Sequence, residues 1–282
     1  MSYKTVLVHL NDERRLPGVM AVACAIAKAH GSRLIGLAVV PPIIIVPGAE
    51  GMAGSVIDDH RATYREQIAR MRVAFDDQTK KAGIDAEWRE LDSQEVNPFG
   101  DAAGVVVAQA RCADLVIASQ ANPEWYLSGY LDADEALVLD SGRPVLLVPK
   151  SARPEHVGKR VLVAWDGRRE ATRAVFDAMP LLEAADTAVI AWANPPEEGE
   201  GGEPLGEDLV RTLQRHDVSC DVVKTIDSDA NIGAALLRAV ADRNCDLLVM
   251  GCYGHSRLRE FVFGGASRHI LQNMPVPVLM SH

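Results

Sequence analysis

The segment from Met250 to Leu271, MGCYGHSRLREFVFGGASRHIL, concentrates the residues whose spacing could do chemistry. An apolar run ends at Gly251, a second glycine follows at Gly254, nine residues intervene, and Gly264, Gly265, Ala266 and Ser267 open a helical pattern. Glycines at the carboxyl end of a strand let the backbone approach a ligand and adopt positive φ. Free N–H groups at the next helix's start, with the positive end of its dipole, attract phosphate oxygens. Open parallel sheets bind ligands at this edge. From these residues alone a phosphate cradle and a structural turn both stand, since turns and helix caps use glycine widely.

Other residues fit either a site or ordinary structure. Asp166 ends an apolar run beside Trp165, and Trp192 lies near the end of the next one, so both indoles could border a ligand's ring or simply fill the core. Cys252, inside the glycine loop, is a reactive thiol or a small filler. Arg257 and Arg259 reach a phosphate or point to solvent. The eight histidines show no His-Glu-x-x-His spacing, so no metal site is expected. No nucleophile motif, Walker loop or paired acid–base carboxylates are found, so no catalytic residue is assigned.

The elements that must position these residues alternate strand and helix, the pattern of a parallel α/β sheet. Strands are expected near Thr5 to Leu10, Arg33 to Val40, Ala86 to Leu91, Leu115 to Ser119 and Val145 to Val148. A second set falls near Val161 to Trp165, Ala188 to Ala193, Ser219 to Thr225, Leu247 to Met250 and Val278 to Ser281. Gly31 and Gly83 read as helix stops.

The two sets look like one unit written twice. KTVLVHLND at Lys4 and KRVLVAWDG at Lys159 begin alike, ADLVIAS at Ala113 matches CDLLVMG at Cys245, and SGRPVLLVPK at Ser141 matches MPVPVLMSH at Met274. Internal duplication explains this. The expected domains are residues 1–150 and 157–282, joined where Pro, Gly and charge cluster between Pro149 and Lys159. Asn194 to Asp208 reads as a polar excursion. The equivalent stretch of the first half is apolar at Ile43 to Val46, either packed on the other half or forming a lip over a ligand.

Bulk composition narrows the classes. A formal net charge of −10 disfavours long contacts with nucleic acid or an anionic membrane, which need a surplus of Lys and Arg. Five cysteines without a Cys-x-x-Cys pair suggest neither a disulfide framework nor a zinc knuckle. No signal-like start and no apolar run long enough to span a bilayer is present, so a cytoplasmic location is expected.

Gly251-x2-Gly254-x9-Gly264 resembles the motif of the universal stress protein family, Gly-x2-Gly-x9-Gly-Ser/Thr, followed as in that family by a helix and a final Pro-Val-x-Val-like strand. The likeness covers both halves. It implies two tandem adenine-nucleotide α-hydrolase-like (Rossmann-like) domains, each a five-stranded parallel sheet with flanking helices, paired as an internal pseudo-dimer. It also implies ATP or a related adenine nucleotide, with or without Mg, held by Asp166, Trp192, Met250, Gly251, Gly254, Gly264, Gly265, Ala266 and Ser267. Asp166 matches the family's acidic position at adenine or ribose. Gly265 departs from the pattern, which has Ser or Thr there; Ser267 offers a substitute hydroxyl, and no cofactor is expected if the departure abolishes binding.

In the first half Ser119 and Asn122 replace glycines, and Asp132, Asp134 and Glu135 stand where phosphate would sit, with Asn11 in the place of Asp166 and Asp12 next to it. That copy is expected to be structural. The expected function is a stress-response nucleotide-binding module with one site per chain, at most slowly hydrolytic, its partners being the nucleotide, its own other half and a second copy in a homodimer. The alternatives are a nucleotide-free scaffold, with or without an apolar ligand, and an ATPase or nucleotidyl transferase of the same fold.

Overall fold

The computed structural model describes residues 2–42, 53–96, 101–124, 131–150, 156–193, 205–225, 232–252 and 265–282. The Ile43 to Val46 segment, Gly254 to Gly264 and residues 194–204 of the expected Asn194 to Asp208 excursion lie outside them, and the rest of that excursion is already helical in Leu205–Gln214. Contacts divide the chain into two units, Tyr3–Arg143 and a second running from Pro144 to His282.

In the first unit β1 (Thr5–His9), β2 (Arg33–Val40), β3 (Ala86–Asp92) and β4 (Leu115–Ser119) form parallel ladders in the order β3-β2-β1-β4. Helices cover this sheet, so β1, β2 and β4 are buried along nearly their whole length and read as continuous apolar runs. Helix Leu16–His30 starts with Pro17 in its first turn and ends at Gly31, whose φ is 61°. It buries Leu16, Val19, Met20, Ala23, Ile26 and Ala27, the three-and-four spacing of one helical face. Helix Ala53–Ala82 does the same with Tyr64, Ile68, Met71, Phe75 and Thr79.

The second unit contains β5 (Val145–Val148), β6 (Arg160–Trp165), β7 (Thr187–Ala193), β8 (Cys220–Thr225), β9 (Leu247–Gly251) and β10 (Val278–Ser281). Their order is β5-β10-β9-β6-β7-β8, parallel throughout except for β5 against β10. The strand expected to close the first sheet therefore groups with the second half. Contacts accordingly divide the chain at Arg143–Pro144, upstream of the Pro149 to Lys159 linker. The cause is the antiparallel register Val278↔Leu147, Leu279↔Leu146 and Met280↔Val145, in which all six side chains are fully buried. This ladder joins the closing strands of the two copies.

Duplication is visible in hydrogen bonds as well as in strand order. Asp114 accepts the backbone N–H groups of Lys4 and Thr5. Asp246, its counterpart, accepts those of Gly158, Lys159 and Arg160. Each carboxylate pins the start of its copy's first strand to the start of the fourth.

β5 covers the edge of β10 with fully buried side chains. A fragment 157–282, which lacks β5, should therefore melt well below a fragment 144–282. Thermal unfolding of the two fragments checks this, and equal melting would contradict it.

Candidate functional site

In each half the first strand lies between the second and the fourth, so the chain departs in opposite directions from neighbouring carboxyl ends. Such a crevice is where open α/β sheets receive ligands. It lies after β1 and β4 in the first half, and after β6 and β9 in the second.

In the second half the ladder Ala164↔Met250 brings the ends of β6 and β9 together. Asp166 follows β6 directly. Its Oδ1 accepts the Arg168 N–H at 2.9 Å, and its side chain is 48% exposed, so one face of the carboxylate remains open to solvent. Met250 is buried within the sheet. Gly251 ends β9 under the first turn of helix Arg169–Asp177, and a Cβ there would lie 2.3 Å from the Glu170 carbonyl carbon. The glycine is thus required by close packing between backbones.

Gly265 opens helix Gly265–Asn273 and is exposed, with no described residue within 4 Å of the position a Cβ would take. Ala266 is half-buried, whereas Ser267 shares the buried stripe of Ile270 and Leu271. Gly254 and Gly264 lie outside the described residues. Asp166, Met250 and Gly251 are brought together by the β6–β9 ladder. Trp192 is paired in register with Trp165, on the far side of β6 from β9. A Cβ on Gly206 would lie 2.5 Å from the Trp192 ring, so the start of helix Leu205–Gln214 covers that indole. Trp165 is buried and its Nε1 has no hydrogen-bond partner.

Cys252 behaves as a filler. Its N–H donates to the Ser281 carbonyl at 3.1 Å and its Sγ lies 3.3 Å from the same oxygen. Burial, helped by the nearby Glu170 charge, pushes the thiol up to about 12, so almost no thiolate forms near neutrality. Among the described residues there is no cluster of three His, Cys, Asp or Glu side chains that could hold a metal. No described helix is long and apolar enough to cross a membrane.

The first half's crevice is filled by the chain itself. Arg15 donates from Nη2 to Asp132 at 2.9 Å, from Nη1 to the Gln120 carbonyl at 2.7 Å and from Nε to Asp12 at 3.1 Å. Asn11 turns inward and donates to Asp132 at 2.9 Å and to the Leu131 carbonyl at 3.0 Å. Just after β4, the N–H of Asn122 donates to Asp132 at 2.9 Å and that of Ala121 to Asp134 at 3.0 Å. Asp12 is committed to Arg14 and Arg15, so neither it nor Asn11 faces solvent as Asp166 does. Sequence reasoning missed Arg15, because its partner Asp132 lies 117 residues away and no local pattern links them.

Two groups in this network titrate abnormally. Burial pushes Asp134 up to about 6, its bond from Ala121 works against the shift, and the Asp132 charge adds to it. Burial also lowers His9 to about 4, with Asp132 opposing and Arg15 assisting. The folded state therefore holds an extra proton on Asp134 between about pH 4 and 6, and lacks one on His9 between about 4 and 6.5. Asp134 favours folding as pH falls through 6, and His9 opposes it. Denaturant unfolding from pH 4 to 8 should show Asp134→Asn at its best relative to the parent above pH 7, with the advantage shrinking by on the order of 1–3 kcal/mol toward pH 4. His9→Gln should flatten the acid loss below pH 6.5.

The glycine geometry gives a second expectation. Gly251→Ala should cost about 2 kcal/mol or more, because backbone cannot yield as a flexible side chain does. Gly265→Ala should stay within about 1 kcal/mol, since no described residue lies within 4 Å of the added Cβ and helix propensity favours alanine. Chemical denaturation of both variants distinguishes the positions.

Comparison with known proteins adds the family. Residues 158–282 match the family model described as the universal stress protein family. A universal stress protein of Synechocystis is 23% identical over 168 residues, 58% of this chain and 56% of the relative, so the chain spans little more than half of that relative's length. A universal stress protein from Archaeoglobus fulgidus superposes with a TM-score of 0.68 at 17% identity, covering 98% of this chain and 95% of its own. A functionally unknown protein from Pseudomonas aeruginosa superposes with a TM-score of 0.54 at 16% identity, covering 99% and 92%. At these identities the superpositions establish the shared α/β fold.

Proposed function

Because residues 158–282 match the universal stress protein family model, we propose that the chain is a stress-response module of that family whose second half binds ATP or a related adenine nucleotide. The contrast between the two crevices supports this reading. The first is occupied by Arg15, Asn11, Asp132 and Asp134, whereas at the second Asp166 keeps a solvent face and Gly265 offers an exposed helix start. In this reading the Gly265 and Ala266 N–H groups meet phosphate, Asp166 takes a ribose or base donor, and the loop from Gly254 to Gly264 completes the cradle. Ser267, buried with Ile270, is not needed as a phosphate ligand.

Binding rather than catalysis is the assigned role. Asp166 is tied to the Arg168 N–H, the Cys252 thiol stays protonated, and hydrolysis of a bound nucleotide would be slow and incidental. The five free cysteines suit the reducing cytoplasm. A nucleotide-free scaffold is the second reading, favoured by the glycine at 265 in place of a hydroxyl and by the covered Trp192.

Thermal unfolding of the nucleotide-stripped protein with millimolar Mg-ATP decides between them. A ligand present at about 100 times its Kd stabilises by about 2.7 kcal/mol, a rise of roughly 5 °C or more. The shift should vanish in Gly264→Asp and Gly254→Val. Gly265→Ser should tighten binding by about one to two powers of ten, the value of a hydrogen bond to a charged oxygen. No shift in the parent or in Gly265→Ser would leave the scaffold.

A further inference from the structure

The first half carries more than a lost site. Of its buried polar residues, His9, Asn11, Asp12, Arg15, Ser119, Gln120 and Asp134 all lie at or just beyond the carboxyl ends of β1 and β4. Buried charge is costly unless paired and hydrogen-bonded, so such a concentration needs a reason at that place. The reason lies in what surrounds Asp132. One of its carboxylate oxygens receives the Arg15 guanidinium and the Asn11 amide, both at 2.9 Å, and the other receives the Asn122 backbone N–H at 2.9 Å. The neighbouring Ala121 N–H points to a second carboxylate, Asp134, at 3.0 Å. A guanidinium, an amide and two successive backbone N–H groups directly after a strand form a donor set for an anion's oxygens.

We propose that the first half's crevice is an anion site which the chain occupies with its own Asp132 carboxylate, an internal ligand standing where an external phosphate-class anion would otherwise bind. The occupant is tethered, so its effective concentration does not vary with the supply of any solute. That copy is held permanently in its liganded arrangement, and any response to a small molecule is left to the other copy. Only residues of the first unit take part, so the site stands whether or not the second half binds nucleotide.

Removing the internal ligand should convert the crevice into one that takes an anion from solution. In the full-length chain, Asp132→Ala removes the carboxylate that meets the Arg15 Nη2, leaving Asp12 and the Gln120 carbonyl as its acceptors, and should melt below the parent. Adding 20 mM inorganic phosphate, roughly twenty times a millimolar Kd and matched for ionic strength with chloride, should raise its melting temperature by about 3–6 °C more than it raises the parent's. The parent's own shift accounts for any phosphate taken up elsewhere. Arg15→Ala combined with Asp132→Ala should lose the excess, because the guanidinium is the principal donor. An excess that is absent from Asp132→Ala, or that survives loss of Arg15, overturns the proposal. If Asp132→Ala folds only with phosphate, that dependence supports the proposal. If it folds under neither condition, Asp132→Ser keeps an acceptor for Arg15 and leaves room for an anion; a phosphate excess in that variant supports the proposal, and its absence overturns it.

Discussion

Strand order imposes the constraint on which the rest of the structure depends. In both halves the first strand is hydrogen-bonded between the second and the fourth, so two loops leave neighbouring carboxyl ends in opposite directions. Each buried N–H donor of those loops must be satisfied by something, because an orphan costs about 1–3 kcal/mol. In the first copy, Asp132 and Asp134 accept the N–H groups of Asn122 and Ala121. In the second, the Cys252 N–H extends the β9–β10 ladder by bonding to the Ser281 carbonyl, and Asp166 at the end of β6 keeps a solvent face.

The first solution brings its own electrostatic demands. Two aspartates beside β1 and β4 require a counter-charge, and Arg15, itself only 7% exposed, supplies it. Arg15 in turn needs acceptors for its remaining donors, which Gln120 and Asp12 provide. His9 stays neutral in this crowded setting and Asp134 is held near 6, so the network's strength depends on pH in two opposed directions. In the second copy Asp166, in the place of Asn11, stays in solvent. Asp114 and Asp246, which tie strand starts together far from either crevice, remain equivalent in both copies. Scaffold and crevice have thus diverged separately.

Much of the fold was legible in the chain. The ten expected strands fell on strands of the described residues; those buried on both faces, such as β1, β2 and β4, are continuously apolar, whereas β3 is half-buried and carries charge along its length. The repeat revealed the duplication, and Gly31 and Gly83 marked helix ends through their positive φ. The carboxylates at 132 and 134 were already conspicuous as residues hostile to phosphate. Residue types and local spacing carry this information because it depends on neighbours a few positions apart.

The partners of those carboxylates were decided only by tertiary structure. Arg15 meets Asp132 across 117 residues, and Val145 to Val148 reads as an ordinary closing strand until its side of the ladder with Met280 is seen. Gly251 looked like a ligand-approach glycine, yet the structure shows that the backbone of Glu170 and Ala171 also forbids a side chain there. Sequence alone determined the repeated α/β unit and the resemblance carried by its second copy's glycine spacing. Which crevice is filled, by which residue and against which counter-charge, depends on contacts between segments far apart in the chain, and only the packed sheet brings them together.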